Sequence, residues 1–120
     1  MEIQLESTEP HTIRAYSEQS ILVAQKTLHQ SCIISRDAIE VWSIQSLADL
    51  VPNDLSIFLQ YQPEVILIGH QGPMNVLPDL ASILSQQRIG LECMSIGAAC
   101  RTFNVLLGEH RRVVLGIILN

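Results

Sequence analysis

The chain has 120 residues, of which 48% are apolar, and this length suits one hydrophobic core rather than two. Seven lysines and arginines against twelve aspartates and glutamates give a formal net charge of −5, which argues against a nucleic-acid-binding protein or one that binds anionic membranes. No apolar run is long enough to cross a membrane, so we expect one domain over residues 1–120 without stable membrane insertion.

The N-terminal part of the chain predicts an antiparallel meander. Residues 1–11 are polar, and we interpret them as either a mobile arm or a short edge strand. Extended patterns follow, separated by residues that favour turns. We expect this meander to cover one edge or face of a sheet that the second half forms. Its predicted strands are residues 13–15, 21–24, 31–34 and 38–42.

Two short helices are predicted in the middle of the chain. Apolar residues keep helical spacing over residues 44–51, where Pro52 ends the pattern, and again over residues 55–59. Pro63 then ends the second helix, and the chain enters an extended run.

The second half of the chain alternates short apolar runs with helical patterns. The runs are continuous, as in strands that are buried on both faces. Strands joined by crossover helices lie parallel, so this half predicts a three-layer, Rossmann-like α/β core that the meander extends. The predicted strands are residues 65–68, 91–94 and 113–118, and the predicted helices are residues 77–87 and 97–107.

Cysteine and histidine spacing gives no sign of a metal site. The three cysteines, Cys32, Cys93 and Cys100, lack any C-x-x-C pattern, and His11 and His29 have no companion at ligand spacing. The opening residues are acidic and lack the apolar run of a signal peptide. We therefore expect a cytoplasmic protein with reduced thiols, no metal and no cofactor.

The carboxyl ends of the first two predicted parallel strands are the expected ligand crevice. Gly69, His70 and Gly72 lie at the end of the first strand, and Ser95 and Gly97 follow the second. Free N–H groups at the start of the following helix would seat an anionic group. The segment lacks the G-x-G-x-x-G fingerprint of dinucleotide sites, so tight-turn glycines without a ligand are the alternative.

Two polar residues of the predicted helix 97–107 extend this candidate site. Arg101 and Asn104 are three residues apart and therefore share one helix face. Both are suited to holding a carboxylate, a phosphate or a partner's backbone. Equally, they are suited to an internal network that ties the helix to a strand end.

Cys100 is the one candidate catalytic residue, although no base stands beside it in the sequence. A position near the start of a helix, next to Arg101, would favour the thiolate. The alternative, which we favour, is a small buried residue that packs on the same face as Phe103 and Leu107. Cys32 and Cys93 fall in strand patterns and are expected to pack.

The second half of the chain resembles a known family. It is similar to a family of small domains of unknown function that includes the mitochondrial complex I assembly factor 3. The most specific part is the run Ala-Ala-Cys-Arg-Thr-Phe-Asn-Val-Leu, and the similar segments are residues 63–69, 89–94, 98–106 and 111–113. The resemblance implies a three-layer fold with a mixed sheet and, in mitochondria, a non-catalytic assembly role through protein partners. The sequence departs from the family pattern at residues 69–72 and 94–97, both in the expected crevice.

Three functional hypotheses follow. The first, which we favour, is a non-catalytic protein-interaction or assembly module that acts through protein partners, with homo-oligomerisation left open. The second is a binder of a small anionic ligand at the crevice. The third is an enzyme that depends on Cys100.

Overall fold

The aliphatic runs of the sequence become strands, and the segments with helical spacing pack against them. The computed structural model of the chain describes residues 9–72 and 77–119. The interpretation of residues 1–11 as an arm or edge strand falls mostly outside these residues. The strands are β1 (Ile13–Tyr16), β2 (Ile21–Val23), β3 (Lys26–Leu28), β4 (Cys32–Ile34), β5 (Ile39–Val41), β6 (Val65–His70), β7 (Gly90–Ser95) and β8 (Val113–Ile117), and the α-helices are α1 (Leu55–Leu59), α2 (Pro78–Gln86) and α3 (Ile96–Gly108).

The main sheet has mixed strand directions and the order β5-β4-β8-β6-β7. Strand β6 lies at its centre and pairs in parallel with both β7 and β8. Strand β4 pairs antiparallel with β8, and β5 continues the sheet antiparallel to β4. The three predicted core strands therefore form one parallel unit, to which part of the predicted meander adds an antiparallel edge.

Both faces of the main sheet are buried, as the continuous apolar runs predicted. Along β6, Ile66 and Ile68 pack in one apolar cluster with Leu80 and Leu84 of α2. Leu67 of the same strand belongs to the other cluster, which contains the buried face of α3. The period-2 alternation of side chains thus divides the core between the two faces.

A separate three-stranded antiparallel sheet, in the order β1-β2-β3, packs on the face that carries α3. Its buried residues Ile13, Ile21 and Val23 belong to the same apolar cluster as Phe103 and Leu107. Helix α3 therefore lies between this small sheet and β6.

The opposite face is closed by α1, α2 and a buried aromatic pair. Trp42 and Phe58 meet edge to face, with ring centroids 5.2 Å apart. A side chain on Gly116 of β8 would come within 2.7 Å of Trp42 and 2.8 Å of Phe58, so the glycine makes room for both rings. No helix within the described ranges is long and apolar enough to span a membrane.

The structure confirms the mixed α/β class and corrects two details. The predicted meander is divided between two sheets, and its β3 was missed, because Lys26–Leu28 is short and half polar. The predicted helix over residues 44–51 is wrong, because only a 3₁₀ turn at Leu47–Asp49 forms there. Leu50 and Val51 are extended, as is favoured immediately before a proline such as Pro52. The Rossmann-like description and the single-domain boundary stay predictions.

Candidate functional site

The two predicted crevice loops meet at the carboxyl edge of the parallel strands. His70, the last residue of β6, pairs in register with Ser95, the last residue of β7. A cavity of about 380 Å³ opens where these strands end. Its lining comes from three segments of the chain: Tyr16, Ser17 and Glu18; His70, Gln71 and Gly72; and Ser95, Ile96 and Gly97.

Helix α3 begins at this cavity. The hydroxyl of Ser95 accepts a hydrogen bond from the N–H of Ala98 at 3.3 Å, so Ser95 is the N-cap of the helix. The capping bond satisfies one of the N–H groups of the first turn. The N–H of Ile96 is directed to the His70 oxygen by the parallel register of β6 and β7, whereas Gly97, the next residue of the helix, lines the cavity. The predicted helix start therefore lies at the cavity, and its preference for an anion stays a prediction.

The glycines of the crevice have three different roles. A side chain on Gly69 would lie 2.8 Å from Ala99 and from Ile117, so Gly69 allows α3 to pack closely on the sheet. A side chain on Gly97 would lie 2.8 Å from the Tyr16 ring, so Gly97 makes room for this ring. Gly72 has a φ of +97°, with nothing within 4 Å of an added side chain, and is a turn glycine.

His70 is the buried polar residue of the cavity lining. The residue is 5% exposed, and its Nδ1 lies 2.9 Å from the carbonyl oxygen of Gln71. Because a carbonyl oxygen only accepts, Nδ1 carries the proton of this bond. The other ring nitrogen, Nε2, is buried and has no hydrogen-bond partner among the described residues.

The third wall of the cavity comes from the turn between β1 and β2. Gln71 Nε2 donates to the backbone oxygen of Glu18 at 2.8 Å and joins this turn to the end of β6. Sequence reasoning missed Tyr16, Ser17 and Glu18 as site residues. Their segment was predicted as a turn, but no sequence pattern indicates that it reaches a loop more than fifty residues away.

Arg101 lies beside the cavity and is held by Tyr16. Its Nη1 donates to the Tyr16 hydroxyl, and its guanidinium carbon lies 5.9 Å from the centroid of the Tyr16 ring. Arg101 is exposed and does not belong to the lining. The internal contact that the sequence allowed is therefore present, and ligand binding by Arg101 stays a prediction.

Asn104 is likewise used within the fold. Its Oδ1 accepts from the N–H of Ile13 at 2.8 Å, and its Nδ2 donates to the Ile13 oxygen at 2.9 Å. The side chain thus pairs with β1 as a neighbouring strand would, and both ends of its amide are engaged. Asn104 is outside the cavity lining, and its two bonds form the internal network that the sequence allowed.

Cys100 is fully buried in the apolar cluster between α3 and the small sheet. Burial, with a smaller contribution from nearby Cys32, raises the pKa of its thiol to about 12, although Arg101 acts in the opposite direction. Loss of solvation therefore outweighs the helix start and the arginine, which were expected to favour the thiolate. This position is that of a packing residue.

A second concave surface lies between two sheet edges. A groove of about 360 Å³ separates β3, the edge of the small sheet, from β5, the edge of the main sheet. Thr27 and Leu28 line one side, and Ile39, Glu40 and Val41 line the other. Val41 is 70% exposed, more than any other large apolar residue of the described chain.

Comparison with protein families gives a match over most of the chain. The family model with the description "Protein of unknown function (DUF498/DUF598)" matches residues 13–118. Both sheets and all the helices described above fall within this range.

Named relatives and a solved structure agree with this match. Over 97% of its length the chain is 26% identical to the Xenopus tropicalis protein called NADH dehydrogenase (ubiquinone) 1 alpha subcomplex assembly factor 3, of which it spans only 65%. It is 34% identical over 62% of its length to the "13 kDa major membrane protein" of Francisella tularensis subsp. holarctica, of which it spans 62%. The solution structure of a Xanthomonas campestris protein has a TM-score of 0.81 and 33% identity, covering 98% of this chain and 92% of that one.

Proposed function

The chain belongs to the DUF498/DUF598 family, and from this membership we propose that it is a non-catalytic module that binds a protein partner during assembly of a larger complex. The observation that carries the proposal is the similarity to a named assembly factor over 97% of the chain. The chain spans only 65% of that relative, so the existence of a protein partner for this chain is part of the proposal.

The open edge of β5 is the surface that we propose for the partner. In antiparallel pairs, alternate residues direct their backbone groups to the neighbouring strand. The Trp42 N–H bonds to the Ser31 oxygen, and the Ser35 N–H bonds to the Ala38 oxygen. The backbone groups of Ile39 and Val41 therefore point away from β4, towards solvent.

An extended segment of a partner protein would fit this edge. Backbone groups of an edge strand pair readily with an added strand, and pockets beside the edge select its side chains. The groove beside β5 has apolar residues on both sides, with Leu28 on one side and Ile39 and Val41 on the other. We therefore propose an extended partner segment with aliphatic side chains, added antiparallel or parallel to β5.

Two matched variants test this proposal. Val41→Lys places a charge on the β5 edge, whereas Val105→Lys makes the same change on α3, where Val105 is also exposed (58%). The tagged chain and both variants are used to isolate stoichiometric complexes from the native cell, and the identified partner is then purified and titrated against each. We expect Val41→Lys to weaken binding at least tenfold, equivalent to about 1.4 kcal/mol, and Val105→Lys to leave it unchanged.

Several results would contradict the proposal. If no protein binds the chain stoichiometrically, the assembly role is wrong. If a partner binds Val41→Lys as tightly as the unchanged chain, or loses affinity equally for both variants, the partner surface is not the β5 edge. Circular dichroism of both variants checks that they remain folded.

The same proposal includes the compartment and the fold type. We place the chain in the cytoplasm because Cys32, Cys93 and Cys100 are free thiols, which suit a reducing compartment. Because a relative is named a membrane protein, cell fractionation with an antibody against the chain is the direct test.

We interpret the parallel unit β7-β6-β8 with its helices as Rossmann-like. Homo-oligomerisation, which the sequence left open, would pair the β5 edges of two copies. The molar mass of the chain in solution would then be that of a dimer, and Val41→Lys would lower it towards that of a monomer.

A further inference from the structure

The strongest unused chemistry of the molecule is in the cavity at the ends of β6 and β7. Buried polar groups in folded proteins nearly always have a hydrogen-bond partner, and an unpaired one costs about 1–3 kcal/mol. His70 Nε2 is the one buried side-chain nitrogen or oxygen in the described part of the chain without a partner. His70 lines the cavity, so a bound molecule would lie beside its ring. Nε2 itself has less than 1 Å² of accessible surface, so a ligand reaches it with a small displacement of the lining.

The hydrogen bond at Nδ1, the other ring nitrogen, determines whether a ligand of Nε2 must be a donor or an acceptor. Nδ1 carries a proton because it faces the Gln71 oxygen at 2.9 Å. In the neutral ring, Nε2 is then a bare acceptor, since only one of the two nitrogens is protonated. A ligand that satisfies it must therefore bring a hydrogen-bond donor.

The start of α3, in contrast, requires a hydrogen-bond acceptor. The first N–H groups of a helix have no partner within the helix, and the helix dipole favours negative charge beside them. Ser95 already accepts from the N–H of Ala98, and the N–H of Ile96 is used by the His70 oxygen in the parallel pairing of β6 with β7. The N–H of Gly97 and the hydroxyl of Ser95, which can also donate, are the donors of this helix start in the lining. A carboxylate is a suitable acceptor for groups of this kind.

The charge of the lining excludes a simple anion site. The lining residues include one acid, Glu18, and neither lysine nor arginine. The nearest arginine described above, Arg101, donates to the Tyr16 hydroxyl. A multiply charged anion such as phosphate would therefore meet the helix start but no basic side chain in the cavity.

We propose that this cavity binds a small carboxylic acid that also carries a hydrogen-bond donor, such as an α-hydroxy or α-amino acid. Its carboxylate would accept from the N–H of Gly97 and the hydroxyl of Ser95, and its donor would satisfy His70 Nε2. The cavity volume of about 380 Å³ lies near the lower end of the range for ligand pockets, about 300–1,000 Å³. The inference is independent of the partner surface at β5, which lies on a different edge of the sheet.

A pair of ligands that differ in one group tests the need for a donor. L-Lactate and propionate have the same carboxylate and carbon chain, but propionate lacks the hydroxyl. L-Serine and inorganic phosphate complete the set. Each is titrated to millimolar concentration against the ¹⁵N-labelled protein while the Gly97 amide and the His70 ring nitrogens are followed by NMR.

The expected result is saturable binding of L-lactate, L-serine or both, with shifts at this amide and at His70 Nε2. Propionate should bind about tenfold more weakly, because it leaves the buried acceptor unpaired. A lactate-to-serine comparison then separates a hydroxyl donor from an ammonium donor, either of which supports the proposal.

Two variants of His70 provide matched controls. The amide of His70→Asn reaches the position of Nδ1 and keeps a donor for the Gln71 oxygen, but it has nothing at Nε2. The longer His70→Gln places an amide near Nε2 instead. We expect His70→Asn to bind the hydroxy or amino acid about tenfold more weakly and His70→Gln to retain most of the affinity.

Three outcomes would overturn the proposal. None of the four ligands produces a saturable shift in the unchanged protein; propionate or phosphate binds as tightly as L-lactate and L-serine; or His70→Asn binds as the unchanged protein does. The first two outcomes need no variant, so the test stands even if a variant fails to fold.

Discussion

The middle and the N-terminal end of α3 differ in how completely their polar groups are used. In the middle, Cys100, Phe103 and Leu107 are fully buried, and the Asn104 amide pairs with both backbone groups of Ile13. At the N-terminal end, the helix opens onto a cavity whose buried histidine has an unpaired nitrogen. The middle therefore has the features of a stabilising region, and the end is where we place the proposed ligand.

This difference predicts which substitutions cost stability and which cost binding. Natural proteins keep unsatisfied or strained groups mainly where a function requires them. Changes in the middle of α3 should lower the free energy of unfolding, and changes at its N-terminal cavity should leave it nearly unchanged. The predictions below run from the largest expected effect on stability to the smallest.

The largest effect is expected for Phe103→Ala. Phe103 has no exposed surface, and its removal would leave a cavity between α3 and the small sheet, so the free energy of unfolding should fall by about 3–5 kcal/mol. Val105→Ala on the exposed side of the same helix is the control and should change it by less than about 0.5 kcal/mol. Urea denaturation of both variants measures the difference. A loss below 1 kcal/mol for Phe103→Ala would mean that this face of α3 is not closely packed.

Gly69→Ala tests the close approach of α3 to β6. The new methyl group would lie 2.8 Å from both Ala99 Cβ and Ile117 Cδ1, and 3.2 Å from the backbone of Ile96, so we expect a loss of about 1–3 kcal/mol.

Gly108→Ala is the matched control at the other end of α3. Nothing lies within 4 Å of a side chain there, so the same change should be neutral or should stabilise the protein by roughly 0.4–1 kcal/mol. Thermal and urea unfolding of the two variants measures both effects. Equal effects at the two glycines would contradict the packing role of Gly69.

Asn104→Ala should cost about 1–3 kcal/mol, because it leaves the N–H and oxygen of Ile13 without their partners. The exposed Asn53 supplies a control, since Asn53→Ala removes an amide from a surface turn. Hydrogen exchange of the Ile13 amide is the specific measurement: the amide should exchange faster in Asn104→Ala only. Unchanged exchange would show that β1 does not depend on this side chain.

The buried thiols predict a loss of stability at alkaline pH. In the folded state, burial raises the pKa of Cys100 to about 12 from an ordinary value of 9.0. The stabilisation is fully present below the unfolded pKa of 9.0 and is lost as pH rises towards 12, because only the unfolded chain ionises in this window. The free energy of unfolding should fall by about 1 kcal/mol per such thiol between pH 9 and 10. Cys100→Ala should flatten this dependence more than Cys93→Ala, whose thiol is only half-buried.

Alkylation of the same thiols tests the remaining enzyme hypothesis. In a chain whose Cys32 and Cys93 are replaced by alanine, iodoacetamide should modify native Cys100 only as fast as the protein unfolds. Rapid modification near neutral pH would instead indicate an accessible, activated thiol and would favour a Cys100-dependent reaction.

The elements of the parallel unit were largely predictable from sequence, because their signals are local. The apolar run 65–68 and the helical spacing over residues 97–107 match β6 and α3 within two residues at either end. The meeting of the two crevice loops also followed from a general property of parallel strands, whose carboxyl ends share one edge.

The remaining parts of the site depend on long-range contacts that a single sequence does not encode locally. Asn104 and Ile13 are 91 residues apart, and nothing near either indicates the other. The same applies to Tyr16, which covers Gly97 and holds Arg101. Helical spacing over residues 44–51 predicted a helix wrongly, because only one 3₁₀ turn forms before the chain becomes extended at Leu50 and Val51.

Apart from the controls, His70→Asn should have the smallest effect of the series on stability, although it removes a buried ring. The variant keeps a donor for the Gln71 oxygen and eliminates the unpaired Nε2, whose burial costs about as much as the lost ring contacts contribute. The two changes oppose each other, so urea denaturation should show less than about 1 kcal/mol of destabilisation, well below Phe103→Ala. A larger loss would mean that the ring is held in place by packing, and the N-terminal end of α3 would then resemble its middle. A small loss, combined with weaker binding of L-lactate or L-serine, would show that Nε2 is kept for a ligand rather than for the fold.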